Sequence, residues 1–143
     1  SAVEVKLTKG AWAEKYGTDN FEAWSHCTKG LSIINRMTKT DLFKARNHYE
    51  RAINLDHNWA TAWVLLAWTY INEVKLGWSS SPAESIKQSL DLTHRAAALS
   101  VNQADIHSLK AEIFRLQGCL SGKPVLLKFF PAAVSLLIGS RGN

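Results

Sequence analysis

Proline and glycine are scarce in this chain, three and eight in 143 residues. That scarcity argues against a turn-rich β fold and for helices. Two cysteines, Cys27 and Cys119, are too few for a disulfide framework, so a reducing compartment, the cytoplasm, is the expectation. No run of five or six Lys or Arg concentrates the net charge of +5, so the basic balance does not by itself call for nucleic acid. The longest apolar run, Val125 to Ile138, is 14 residues and is broken by Lys128 and Pro131. A membrane helix needs about 20, so no span is expected. Ser1 to Leu7 has no apolar stretch of the kind a signal peptide carries.

Catalytic signatures are missing as well. There is no GxxxxGK[ST], GxGxxG or HExxH. Ser79, Ser80 and Ser81 have no His or Lys partner in a nucleophile motif. None of the five histidines (His26, His48, His57, His94, His107) stands at i, i+4 from another His or Cys. The sequence therefore predicts no enzyme, no cofactor and no metal site.

What is present is helical periodicity, densest over Lys44 to Asn72. Ala45, Tyr49 and Ala52 recur at i, i+4, i+7, and Trp63, Leu66, Ala67 and Tyr70 at i, i+3, i+4, i+7. Each set lies on one helix face. The polar Leu55-Asp56-His57-Asn58 separates them, so the two patterns form antiparallel neighbours. On the same logic helices are predicted over 3–16, weakened by Gly10, and over 21–36. Further helices follow over 41–55, 60–76, 82–99 and 104–117. Trp24, Cys27, Thr28 and Leu31 mark the inward face of the second of these helices. Thr40 reads as the N-cap of the third. Ser81, Pro82 and Glu84 read as N-cap, N1 and N3 of a capping box. Gly77 and Gly118 read as helix stops. Residues 60–76 are apolar nearly all round, which predicts a helix buried in the middle of a stack. In the last helix Ala111 and Phe114 take the positions that Ala67 and Tyr70 hold in the central one. The segment Ala96 to Asn102 echoes Ala52 to Asn58, an internal repeat.

Trp63-x2-Leu66-Ala67-x2-Tyr70, preceded by Ala45-x3-Tyr49-x2-Ala52, resembles the tetratricopeptide repeat, with Ala67 for the family's glycine and His57 for its proline. Helix starts at Phe21, Ala60 and Ala104 are 39 and 44 residues apart, against about 34 for that repeat. Longer hairpins around Met37–Thr40 and Leu76–Ser81 are expected to hold the excess. The implied fold is all-α: a right-handed superhelical stack of antiparallel helix pairs (a TPR-like α-α solenoid) with about two and a half repeats over 18–118. Residues 3–118, above all Gly77-Trp78-Ser79 and Leu66-Ala67-Trp68-Thr69, also resemble the region following the catalytic domain in bacterial adenylate/guanylate cyclase family proteins. That likeness implies that 1–17 end a preceding domain and that the chain is part of a signalling protein. The cyclase domain itself is not in the chain. Residues 119–143 depart from the pattern and read as an atypical apolar tail or capping segment.

Such stacks take a protein or peptide partner in the groove lined by the first helix of each pair. By register the groove here comprises Ser25 and Lys29, then Val64, Trp68 and Ile71, then Ser108, Glu112 and Arg115. Its centre is apolar, and Trp68 is the expected anchor. Trp68 packed against the chain's own ends is the competing reading. Ser25, Lys29, Val64 and Trp68 stand where the family's carboxylate clamp has Lys and Asn, so that clamp is absent. The alternative to a partner groove is a homodimer, formed through the open end of the stack and the apolar tail.

Overall fold

The computed structural model describes residues 14–99 and 102–122. Among them every regular element is a helix. The helices are α1 (Phe21–Ile34), α2 (Lys39–Leu55), α3 (Ala60–Lys75), α4 (Pro82–Ala98) and α5 (Gln103–Leu120). α1 packs on α2 and α3 on α4, while α3 also touches α2 and α5. Of the helix expected over 3–16, only the turn at 14–16 lies within the described residues. The tail expectation for 123–143 lies outside them.

Capping decides most boundaries. Asn20 Oδ1 accepts the Ala23 N–H at 2.9 Å and starts α1. α2 begins earlier than Thr40 predicts. Thr38 is extended, and its hydroxyl accepts the Asp41 N–H at 3.0 Å, so Lys39 and Thr40 join the helix. Met37, left-handed at φ 55°, closes the turn before it. The first hairpin loop is therefore Asn35 to Thr38, and the extra residues of that unit lengthen its helices instead. At α4, Pro82 takes the first turn as expected, but Ser81 makes no side-chain cap. Ser79 accepts the Ser81 N–H at 3.2 Å in its place, and Glu84 accepts from Gln88 at 3.2 Å. α5 runs through Gly118 to Leu120, and Gly122, at φ 89°, is the glycine that follows its end.

The core joins all five helices. Ala45, Tyr49 and Ala52 are buried as their spacing predicts, and Cys27 is a small buried residue whose thiol pKa burial raises. Two registers differ from expectation. On α1 the buried face is Ala23, Cys27 and Gly30, with Trp24 and Leu31 at its edge and Thr28 exposed. On α5 the inward set is Ile106, Leu109, Ile113 and Leu116, which leaves Phe114 78% exposed and Ala111 on the outer face. Spacing alone allows either face. Packing against α3 and α4 selects the one with the larger continuous aliphatic surface.

The segment before α1 is tied to the α2–α3 corner. Trp59, buried at the start of α3, donates from Nε1 to the Tyr16 carbonyl at 2.7 Å. Gly17 sits under that indole at φ 83°. Thr18 Oγ1 donates to Asp56 Oδ2 at 2.6 Å, and Asn20 Nδ2 to the Leu55 carbonyl at 3.2 Å.

Candidate functional site

The centre of the expected groove is not an open surface. Val64, Trp68 and Ile71 are 0%, 4% and 0% exposed. α3 has apolar residues all round because it packs against α2, α4 and α5 at once. Ser25 is half-buried, Lys29 and Ser108 are exposed, and Arg115 is half-buried. Glu112 is buried and bridges two cations, Lys75 Nζ at 3.4 Å and Arg115 Nη1 at 3.3 Å. Burial lowers the Lys75 pKa, and the Glu112 carboxylate offsets part of that shift. This cluster joins the end of α3 to α5.

A second polar cluster pins α2, α3 and α4 together. Arg46 Nη2 meets Glu73 Oε1 at 2.6 Å, and its Nε donates to Thr69 Oγ1 at 3.0 Å. The guanidinium lies 3.8 Å from the centre of the Tyr70 ring and 4.9 Å from that of Phe43. Ser85 Oγ donates to the other Glu73 oxygen and lies 2.7 Å from Ser79 Oγ. The Ser79–Ser81 stretch thus anchors a loop to a buried carboxylate. Nothing in the sequence spacing marks Arg46 and Glu73 as partners, since they are 27 positions apart.

The described residues include an open cleft at the α2–α3 joint, with a volume of about 490 Å³. Ile53 and Asn54 line it from α2, His57 and Asn58 from the corner, Trp63 from α3, and Arg95 from α4. Trp63 is half-buried, and its Nε1 donates to the His57 carbonyl at 2.9 Å, which fixes the indole. The Arg95 guanidinium stands 5.2 Å from the centre of that ring. The sequence points to Trp63 as a packing residue, and here it also forms a wall of the cleft. A flat apolar face beside an exposed guanidinium and two amide side chains suits a carboxylate attached to an apolar group. No spacing rule identifies Arg95 as a cleft residue, because it lies on α4, 32 positions from Trp63.

The structure also joins two histidines that spacing within one helix leaves apart. His26 on α1 and His48 on α2 meet at 3.0 Å, Nδ1 to Nδ1. Burial, then His26, Lys29 and Arg51, hold the His48 pKa below its ordinary value. Among the described residues no three His, Cys, Asp or Glu side chains gather into a metal-binding group, and no helix is long and apolar enough to cross a membrane. Comparison with protein-family models, curated proteins and solved structures finds no match to this chain.

Proposed function

We propose that the chain is a non-catalytic protein–protein interaction module that binds a partner peptide or helix. The observation that carries this reading is the cleft at the α2–α3 joint, with its fixed Trp63 indole and the Arg95 guanidinium over it. An aromatic wall and an arginine supply the two residue types most enriched in binding hot spots. The partner surface moves accordingly from Val64, Trp68 and Ile71 to Trp63, Arg95 and the α2–α3 corner. The pairing of α1 with α2 and of α3 with α4 agrees with a tetratricopeptide-like stack. Membership in a bacterial cyclase-related signalling protein rests on the sequence resemblance, and a cytoplasmic location on the scarcity of cysteine.

Selection from a displayed random-peptide library tests the proposal. Enriched peptides are expected to carry a carboxylate next to an apolar residue and to lose binding to Trp63→Ala and Arg95→Glu variants of unchanged helicity. A library that yields no enrichment, or peptides indifferent to both substitutions, rejects the cleft.

A second reading, self-association, is favoured by α5. Phe114 and Leu120 are 78% and 50% exposed on this last described helix. Light scattering decides it: a dimer converted to monomer by Phe114→Glu supports it, and a monomer at high concentration removes it.

A further inference from the structure

His26 and His48 face each other across the α1–α2 hairpin, with rings 5.2 Å apart at 34° and Nδ1 atoms at 3.0 Å. A nitrogen–nitrogen contact this short needs one donor and one acceptor. While it holds, at least one ring is neutral, and a second proton must break it. Both rings are half-buried. The charged side chains that act on His48 are cationic: Lys29 on α1, one turn beyond His26, and Arg51 on α2, one turn beyond His48. Lys44 lies one turn before His48, and Glu22, one turn before His26, is an exposed acidic residue on that side of α1. From α3, which also packs on α2, Glu73 points to α2 but is held by Arg46. The pair therefore sits among Lys29, Arg51 and Lys44, with a ring-nitrogen lone pair available and the exposed Glu22 as its acidic neighbour.

We propose that this face of the α1–α2 hairpin docks an acidic peptide segment and takes up a proton as it does so. A carboxylate at the pair replaces the single N–H···N contact with an N–H···O bond from each ring. The second ring protonates from solvent, and Lys29 and Arg51 meet neighbouring carboxylates of the peptide. No covalent bond is made or broken. The surface is distinct from the Trp63–Arg95 cleft and stands without it.

Calorimetric titration of hexaglutamate into the full chain tests this, run in buffers of different ionisation enthalpy at two pH values either side of 6.5, the ordinary histidine value. Circular dichroism confirms a folded protein at each pH. The expected result is uptake approaching one proton per peptide and affinity rising by about tenfold per pH unit on acidification. His26→Gln/His48→Gln, which leaves Lys29 and Arg51 in place, is expected to abolish the uptake and the pH slope while weak, salt-sensitive binding persists. Arg95→Glu is expected to leave binding unchanged. Absence of binding at the lower pH, a pH-independent affinity, or uptake that survives the double substitution overturns the proposal. Loss of binding in Arg95→Glu assigns the peptide to the cleft and overturns it as well. Tighter binding of a short single-stranded RNA with the same uptake assigns the face to nucleic acid and does the same.

Discussion

A Cβ built on Gly30 would lie 2.5 Å from Cε1 of Tyr49. α1 and α2 therefore approach as closely as a bare glycine allows, and the Tyr49 ring fills the space. Gly30→Ala gains up to about 1 kcal/mol of helix propensity, but it forces the ring or the helix to move. Overpacking costs about 1–3 kcal/mol, so the steric term wins. Urea unfolding is expected to show net destabilisation, and a stabilised variant would mean that the helices have room to part.

Trp68 and Trp63 belong to different surfaces although both are on α3. Trp68 is in the core, and Trp68→Ala is expected to cost about 3–5 kcal/mol. Trp63 is half-buried at the cleft, so Trp63→Ala should cost less stability and remove peptide binding. Thermal melts of the two variants compared side by side check the order. Equal losses would place Trp63 in the core as well.

The Arg46–Glu73 pair is nearly excluded from water, with side chains 11% and 8% exposed. Arg46→Ala leaves a buried carboxylate with Ser85 as its remaining side-chain partner, and a loss of about 3–5 kcal/mol is expected. Glu73→Gln keeps an acceptor and the shape, and it is expected to cost less. Chemical denaturation of both variants measures the difference. Equal losses would assign the cost to the broken charge pair, which both variants share, instead of to the packing on Tyr70 and Phe43 that only Arg46→Ala removes.

His48 gives the hairpin a dependence on pH. Its pKa is lower folded than unfolded, so the unfolded chain binds the proton more readily. The stability this group contributes is complete above the unfolded value of 6.5 and is lost as pH falls from there through the folded value. Stability measured by urea unfolding is expected to decline across that interval. The decline should shrink in His48→Gln, whose amide keeps a hydrogen bond to His26 without titrating. An unchanged slope in that variant would assign the decline to other groups.

The sequence itself decided the five helices of the described residues and the position of the central one. Ala45, Tyr49 and Ala52 were legible as core because they recur at helical spacing. Residues 60–76 were legible as the buried middle because no polar face interrupts them. Pro82 and Gly77 mark their boundaries for local steric reasons, which any short window of chain contains. Caps were less legible: Thr38 and Thr40 are both good N-caps, and only backbone geometry chooses between them. Tertiary structure decided everything that depends on which helices meet. It buried Val64, Trp68 and Ile71, turned Phe114 outward, and brought Arg95 to Trp63, Glu73 to Arg46 and His48 to His26. Periodicity says that a residue shares a face with its neighbours along one helix. Burial, ion pairing and a shared proton depend on what a second helix places opposite, and that information is spread over separations of 22 to 32 residues.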